Sequence, residues 1–383
     1  MYLTSSSVKT IYLTFNDSPS GIFKSQVIDR VNYLNKLGYS IQLITFLPLL
    51  NFQQNKRIVL NWLPQAIVLK QLPGLKYWWV NLILLIPEML RLKPKRIIGR
   101  SIYATNLGLI IRKLKLVKEV IYDGRGAITA ECEEFKMVPI KWLPSIKKLE
   151  WKAINLADRQ LTVSNALEKY WKKEFSYIEK KAIVIPCTLG EHFESLDISE
   201  QTVTEARKKI GFSNTDIILA YSGSLAGWQF RKGLDLELAE WLRKRPANKL
   251  LFLCREDERI NALQNDFPNQ VARYFLPPEE VPKYLIGADY GLLVRVDLVT
   301  NRVASPVKFA EYLACGLKVI ISENIGDYSN LVKSKHLGIV INSQFTFGSI
   351  RFMLNHILDR KKINHLANKN FRTDKKIKRI FNE

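Results

Sequence analysis

The residues best suited to chemistry lie in one short segment, residues 301–316, with the sequence NRVASPVKFAEYLACG. Ser305 is typical of a helix N-terminus and Gly316 of the position after a helix end, so the segment predicts a helix capped by Ser305. Because a helix N-terminus has free N–H groups and partial positive charge, it can bind a phosphate, and Lys308 would add charge there. Glu311 can accept hydrogen bonds from two sugar hydroxyls. An ordinary helix with a surface Lys–Glu pair would have the same spacing.

A second segment, residues 221–234, combines glycines with cations in the sequence YSGSLAGWQFRKGL. It follows a predicted strand and opens a predicted helix, and Gly223 and Gly227 let a ligand approach the backbone closely. Arg231 and Lys232 bring two cations to this loop, and an Arg fork matches phosphate geometry better than a Lys point charge. The segment lacks the ending of a P-loop. It predicts an anion-binding loop, with a solvated basic turn as the alternative.

Polar side chains also follow two predicted strands in the first half of the chain. They are Arg100, Ser101, Asp123, Arg125 and Glu131. Because ligands bind at the carboxyl ends of parallel strands, these side chains are expected at a ligand-binding rim. The nearby glycines of residues 124–129 lack the third glycine of a dinucleotide fingerprint. The alternative is a structural Asp–Arg ion pair.

Two successive alternations of strands and helices must position these segments. In the first, the predicted strands are 11–15, 41–46, 97–98, 120–122, 160–163 and 182–185. In the second, they are 217–221, 249–254, 290–294 and 318–321. Apolar residues at helical spacing lie between them, for example in 22–37 and 306–314. The pattern predicts an α/β chain of two domains, residues 1–190 and 191–350, followed by a basic helical tail, residues 351–383.

Composition excludes several classes of protein. The 383 residues are 47% hydrophobic and 25% charged, which is typical of globular domains and excludes a disordered or fibrous chain. The four cysteines are far apart, which argues against a zinc ribbon or a disulfide scaffold. No histidine precedes His192, so a Ser-His-Asp or Cys-His apparatus is excluded from the first domain. There is no convincing Asp-x-Asp motif, and we predict no bound metal.

The net charge of +22 indicates an anionic partner. No zinc finger, basic helix or RNP-like motif favours specific nucleic-acid binding. Residues 76–96 and 141–152 combine tryptophans, apolar residues and lysines, as membrane interfaces do, although a helix buried against the sheet would look similar. The first residues lack a basic segment followed by an apolar one, so we expect no signal peptide, and the longest apolar stretch is too short to span a bilayer. We expect a cytoplasmic protein, peripheral on the inner membrane face through its basic N-terminal half.

The motif S-P-x-K-F-x-E-Y-L-A-x-G-x-x-V-I of residues 305–320 closely resembles the donor-site signature of retaining GT-B glycosyltransferases of the family 4-like group. The resemblance implies two Rossmann-like, doubly wound parallel-sheet domains facing a cleft, with a tail that packs back on the first domain. It implies that Glu311 binds the nucleotide ribose. Many members of this family have an E-x7-E pair, and Val303 replaces its first Glu here.

The resemblance also implies roles for the other residues. Gly223, Ser224, Ser305 and Lys308 would bind the nucleotide-sugar with Glu311. The implied catalytic groups are Arg231 and Lys232 at the diphosphate, with Asp123 and Arg125 at the reaction centre. The implied acceptor-binding residues are Gly21, Arg100, Ser101 and Glu131; a plain strand–helix turn at Gly21 is the alternative.

The implied activity is a metal-independent, retaining hexosyl transfer without a cofactor. The donor would be a UDP- or GDP-linked sugar, and the acceptor a glycan or a polyprenyl- or lipid-linked molecule of polysaccharide or glycoconjugate biosynthesis. Two alternatives stay open. One is a GT-B nucleotide-sugar epimerase, and the other is a non-catalytic glycosyltransferase-like partner subunit, which the Val303 departure allows.

Overall fold

A computed structural model describes residues 9–72, 74–178, 182–225, 227, 229–342, 347, 359–372 and 380–381. The described residues up to Pro186, together with Ile380 and Phe381, form one compact unit. The described residues from Cys187 to Arg372 form a second. The division falls four residues before the boundary expected from the sequence.

The first unit contains a sheet of seven parallel strands in the order β3-β2-β1-β4-β5-β6-β7. Its strands are β1 (Thr10–Phe15), β2 (Ile41–Leu47), β3 (Ile67–Lys70), β4 (Arg96–Arg100), β5 (Glu119–Asp123), β6 (Arg159–Thr162) and β7 (Ala182–Val184). Its helices are α1 (Gly21–Phe23), α2 (Asp29–Lys36), α3 (Phe52–Trp62), α4 (Leu82–Leu92), α5 (Ile102–Lys113), α6 (Ile128–Glu134), α7 (Leu143–Leu156) and α8 (Asn165–Phe175). A π-helical turn, Lys24–Ile28, joins α1 to α2.

The second unit contains a sheet of six parallel strands in the order β10-β9-β8-β11-β12-β13. Its strands are β8 (Ile217–Ser222), β9 (Asn248–Leu253), β10 (Val271–Tyr274), β11 (Tyr290–Leu293), β12 (Lys318–Ser322) and β13 (Gly338–Ile341). Its helices are α9 (Glu200–Lys209), α10 (Leu234–Arg243), α11 (Glu258–Asp266), α12 (Val281–Leu285), α13 (Val299–Arg302), α14 (Val307–Ala314), α15 (Tyr328–Lys335) and α16 (Arg360–Phe371). Short 3-10 helices cover Leu75–Asn81, Ile140–Trp142, Glu191–Phe193 and Pro278–Glu280.

Each sheet is covered by apolar side chains on both faces. In β8, Ile218 and Ala220 enter one core, while Leu219 and Tyr221 enter the other. Because successive residues of a strand point to opposite faces, strands buried on both sides are continuous apolar runs. This is why the central strands are recognisable in the sequence.

The C-terminal segment is divided between the two units. Helix α16 packs against α14 in the second unit, which differs from the tail predicted to pack on the first domain. Phe381 belongs to the first unit, where its ring stacks on Tyr39 with centroids 4.3 Å apart. Much of the helical tail expected at residues 351–383 lies outside the described residues.

Candidate functional site

The strand order of the second unit reverses between β8 and β11. Ligands of doubly wound sheets bind outside the carboxyl ends of the strands at such a switch point. The chain leaves β8 into the glycine loop that begins at Gly223, and it leaves β11 towards Arg295. These two exits define the candidate donor site.

Tyr312 of α14 holds the two exits together. Its hydroxyl accepts a hydrogen bond from the Ser222 N–H group at 3.0 Å and contacts the carbonyl oxygen of Leu292 at 3.4 Å. The tyrosine ring fits because the neighbouring strand residue is Gly291, where an added β-carbon would lie 2.2 Å from the ring. The helix that carries the family-like motif is therefore fixed to the ends of both central strands.

Lys308 is buried at this edge rather than placed on the surface. Its Nζ atom donates to the Tyr221 hydroxyl at 3.1 Å and lies 4.3 Å from the centre of that ring. Its side chain crosses Gly223, where an added β-carbon would lie 2.7 Å from Lys308 Cε and where φ is +103°. Burial lowers the pKa of the Lys308 ammonium well below its usual value, and the Arg295 charge lowers it further. A surface Lys–Glu pair is thereby excluded.

Glu311 lies one turn after Lys308 and is half-buried. Burial raises the pKa of its carboxyl group to about 7, although the Lys308 charge opposes the rise. Within the described part of the chain, no side chain forms a hydrogen bond or ion pair with this carboxylate. Its oxygens are therefore open to hydroxyl groups of a ligand.

Ser305 does not cap the helix as the sequence predicted. The N-cap residue of α14 is Pro306, and the helix begins at Val307. The Ser305 hydroxyl instead accepts from the Cys187 N–H group at 2.9 Å and contacts the Tyr328 hydroxyl at 2.7 Å. Those two contacts hold its oxygen away from the helix N–H groups, so Ser305 joins loops beneath the site.

The glycine loop is anchored by Tyr221, whose hydroxyl contacts the carbonyl oxygens of Ser224 and Gln229. Near the end of the loop, Arg231 forms a two-pronged ion pair with Glu237, with N–O distances of 2.7 and 2.9 Å. The next residue, Lys232, is exposed. The Arg231 charge is thus already compensated by the chain, and the expected role of both residues at a diphosphate stays a prediction.

Arg295 is a site residue that the sequence reasoning missed. It is 9% exposed, and its Nη1 atom donates to Asn301 Oδ1 at 3.2 Å. Its buried Nε atom has no hydrogen-bond partner among the described residues. The signal was present in the sequence, because Arg295 directly follows an apolar strand at the edge where ligands bind.

In the first unit, the polar side chains converge on Asp123 at the end of β5. The Asp123 carboxylate accepts from the Tyr12 hydroxyl at 2.5 Å and lies 3.4 Å from nitrogen atoms of both Arg30 and Arg125. Burial alone would raise the pKa of Asp123, but Arg125, Arg30 and Arg100 together lower it to about 2. The carboxylate is therefore a fixed negative charge within a cationic pocket.

A second ion pair lies at the switch point between β1 and β4. Arg100 Nε is 3.5 Å from Asp17 Oδ2, and burial raises the pKa of that aspartate. Ser101 has φ of +86°, and its buried hydroxyl has no hydrogen-bond partner among the described residues. The Nη1 atom of Arg100 is likewise buried and unpartnered in that part of the chain. These donors are available to a polar ligand.

The structure brings together some of the predicted acceptor residues and not others. The charges of Arg100 and Arg125 both lower the pKa of Asp123. Arg125 Nη2 also donates to Gln26 Oε1 in the π-helical turn. Glu131 lies on α6 and makes no side-chain contact with this cluster in the described residues. Gly21 is exposed and opens α1, whose N-cap is Ser20. Its predicted contact with an acceptor stays a prediction.

Tyr12, Asp17 and Arg30 were missed in the first unit. Tyr12 lies within an apolar strand, and Arg30 lies within a predicted amphipathic helix, so neither stands out in the sequence. Only the parallel pairing of β1 with β4, and of β4 with β5, brings Tyr12 next to Asp123. Asp17 lies just after the first predicted strand, and this position in the sequence could have marked it as a candidate site residue.

A cavity of about 360 Å³ opens on the first unit. Its lining is mostly apolar, with lysines at two positions: Leu75, Lys76, Trp78, Tyr103, Lys141, Trp142, Ser145, Ile146 and Leu149. Large apolar side chains nearby in the sequence are exposed, including Trp79 and Ile140, which is 84% exposed. Among the described residues, no helix is both long enough and apolar enough to cross a membrane.

No described group of three or more His, Cys, Asp and Glu side chains is arranged to hold a metal ion. The expectation that the chemistry needs no metal rests on the sequence alone and stays a prediction.

Comparisons with known proteins agree with this architecture. No family model matches the chain. Among solved structures, a glycosyltransferase from Rickettsia africae ESF-5 matches with a TM-score of 0.71, at 14% identity over 97% of each chain. WaaG, a glycosyltransferase involved in lipopolysaccharide biosynthesis, matches with a TM-score of 0.62, at 12% identity over 95% of this chain and 94% of its own. The predicted GT-B fold, with two parallel-sheet α/β domains, is confirmed.

One curated relative is similar in sequence. It is the chitobiosyldiphosphodolichol beta-mannosyltransferase of Candida albicans, which is 23% identical over 197 residues. The match covers 49% of this chain and 42% of that relative. The chain thus spans less than half of the length of this curated relative.

Proposed function

We propose that the protein is a glycosyltransferase that moves a sugar from a nucleotide-sugar to a glycan or lipid-linked acceptor. The observation that carries the proposal is the position of α14, whose Lys308 and Glu311 lie at the switch point of the second sheet. The fold of solved glycosyltransferases and the partial match to a mannosyltransferase support it.

The second unit would bind the donor. Glu311 has a carboxylate without a partner in the described residues, and it would accept hydrogen bonds from the two ribose hydroxyls. Cations at the same edge would stabilise the negative charge that develops on the departing diphosphate. We propose a UDP- or GDP-linked hexose as donor and no metal or cofactor.

The first unit would bind the acceptor near Asp123 and Arg100. We propose transfer with retention at the anomeric carbon, in which the leaving phosphate takes the acceptor proton. Asp123, with a pKa of about 2 caused by three arginines, is a weak base, which favours such a route over base catalysis by this residue. Burial raises the pKa of Asp17. If the product has the inverted configuration at the anomeric carbon, Asp17 is the general base to test.

A lipid-linked acceptor is favoured by the cavity on the first unit. Apolar and aromatic side chains line it, and Lys76 and Lys141 could attract an anionic headgroup or diphosphate. Tyr103 lines the cavity and lies only two residues after Ser101, so the cavity begins close to the proposed acceptor residues. The exposed Trp79 and Ile140 would rest on an anionic membrane surface.

The first test is calorimetry and thermal unfolding of the whole chain with UDP, GDP, ADP and CMP, without added metal. A ligand that binds only the folded state raises its stability. We expect one clear binder, weakened about tenfold or more in Glu311→Ala because a charged hydrogen-bond acceptor is lost. Glu323→Ala, at an exposed glutamate of the same unit, is the matched control.

Turnover with the matching nucleotide-sugar then separates the candidate functions. Sugar on a lipid-linked or free glycan acceptor supports the proposal, and the anomeric configuration of the product, read by NMR, tests retention. A product that remains a free nucleotide-sugar identifies an epimerase. Absence of any nucleotide binding at millimolar concentration overturns the proposal and favours a non-catalytic partner subunit.

A further inference from the structure

The second unit contains two buried cations that have no carboxylate at ion-pair distance in the described residues, although the Glu311 charge, one turn along α14, raises the pKa of Lys308. Arg295 is 9% exposed and Lys308 is 8% exposed. Arg295 donates to an uncharged partner, the amide oxygen of Asn301, and Lys308 donates to the hydroxyl of Tyr221. In the described residues, neither cation forms an ion pair with a carboxylate.

The charge of Arg295 also acts on Lys308. After burial, the Arg295 charge is the largest cause that lowers the pKa of Lys308. A buried charge is normally paired, because removing it from water is costly. Two buried cations at one edge of a sheet are therefore expected where a ligand supplies the negative charge. Their location agrees, since the switch point of β8 and β11 is where such sheets bind ligands.

We propose that Arg295 and Lys308 form the subsite for the two phosphates of a nucleoside diphosphate, and that Arg231 is not its main phosphate contact. This inference rests on the donor site proposed above and changes the residues assigned to its diphosphate. The unpartnered Nε atom of Arg295 supplies an unused donor, and Lys308 supplies a compact ammonium. The bound anion provides the missing countercharge, so Lys308 becomes more fully protonated in the complex.

Arg231, in contrast, has a carboxylate partner and is partly exposed. It shares two hydrogen bonds with Glu237, and its side chain is 31% exposed. Using it for a phosphate would break an ion pair that already exists, whereas using Arg295 breaks none. Gly223 contributes by geometry, since a β-carbon there would lie 3.1 Å from Lys308 Nζ and occupy the space beside the ammonium.

The test compares three variants of the whole chain, Arg295→Met, Lys308→Met and Arg231→Met, each of which removes one cation. Binding of UDP, GDP and inorganic pyrophosphate is measured by calorimetry without metal. We expect Arg295→Met and Lys308→Met to weaken binding at least about tenfold, and Arg231→Met to change it less than about threefold. Thermal unfolding of the free protein adds a second readout. Removing an unpaired buried charge should leave the melting temperature unchanged or raise it, whereas a purely structural cation would lower it.

A charge-preserving variant, Lys308→Arg, covers the case in which the methionine variants do not fold. It should retain binding within a few-fold. Calorimetry at several pH values, each in two buffers of different ionisation enthalpy, should locate a pH range in which the wild type takes up protons on binding and Lys308→Arg takes up fewer.

The outcomes separate this inference from the proposed function. Binding that is lost in Arg231→Met but kept in the Arg295 and Lys308 variants overturns the subsite and leaves the glycosyltransferase proposal intact. Binding of pyrophosphate without any nucleotide supports the anion site and contradicts the nucleotide-sugar donor. Failure of the wild type to bind any of the three ligands overturns both. If only Lys308→Arg folds, equal proton uptake in it and the wild type overturns the role of Lys308.

Discussion

At the ligand edge of the first unit, the Asp123 carboxylate contacts Tyr12, Arg30 and Arg125. At the corresponding edge of the second unit, Arg295 and Lys308 have no carboxylate at ion-pair distance in the described residues. Both edges are switch points of parallel sheets, and both bury charge. The difference is that the first unit supplies its own countercharge, so its polar network is formed before any ligand arrives. The second unit leaves the negative charge to a ligand. Electrostatic attraction should therefore dominate its affinity for an anionic ligand.

The largest effect is expected from Asp123→Asn. Removing the carboxylate leaves the buried Arg30 without its ion-pair partner, which should lower the free energy of unfolding by about 3 kcal/mol or more. The measurement is urea unfolding followed by circular dichroism. Glu88→Gln, which breaks an ion pair with Arg91 on the surface of the same unit, is the control and should cost less than about 1 kcal/mol. Equal losses in the free energy of unfolding for the two substitutions would contradict the view that the first unit depends on Asp123 as its internal countercharge.

A middle-sized effect is expected from the pH dependence of stability. Glu311 has a pKa of about 7 in the folded chain against an ordinary 4.5, so the folded state holds a proton that the unfolded state has lost between these values. Its contribution is therefore complete below about pH 4.5 and is lost as the pH rises through 7. The contribution of Asp123 to stability depends on pH in the opposite direction. Because its pKa is lowered, that contribution is lost as the pH falls towards 2.

The variant that isolates this effect is Glu311→Gln. Compared with the wild type, it should be relatively more stable at pH 8 than at pH 5, by about 2–3 kcal/mol. Denaturant unfolding at the two pH values measures this difference directly. Glu323→Gln, at an exposed position of the same unit, should follow the wild type at both. A difference between wild type and Glu311→Gln that does not change with pH would show that the carboxyl titrates normally.

The smallest effect is expected from Glu237→Gln, which removes the partner of Arg231 and creates an uncompensated cation in the glycine loop. Because that cation is partly exposed and screened, binding of pyrophosphate should tighten only about twofold to threefold. Calorimetry at low salt measures the change, and Glu240→Gln on the exposed face of α10 is the control. A gain of tenfold or more would show that Arg231 is the main phosphate contact once released.

The fold could be predicted from the sequence to a large extent. Central strands such as β8 and β11 are buried on both faces and therefore appear as continuous apolar runs. The edge strands β3, β10 and β13 were missed because they are short and partly exposed, so their apolar pattern is weak. The helix predicted at residues 306–314 agrees with α14 to within one residue, because Pro306 is its N-cap and the helix begins at Val307.

The site could be predicted where one segment carries it. Lys308 and Glu311 are three residues apart in a recognisable motif, and the structure places both at the expected edge. Arg295 and Arg30 reach their positions through packing between distant elements, which spacing in the sequence does not reveal. The prediction that Ser305 caps the helix was wrong for a related reason. The partner of its hydroxyl, the Cys187 N–H group, lies in a loop 118 residues away in the sequence.

Gly291 and Tyr312 have an evolutionary consequence as a pair. A β-carbon at position 291 would lie 2.2 Å from the ring, so a larger residue there requires loss of the ring. Loss of the ring also removes the hydroxyl that joins the ends of β8 and β11. Because either single substitution weakens the protein, the two residues are expected to be retained together among homologues. Stepwise mutation under selection should therefore keep both residues while the glycine loop beside them diversifies.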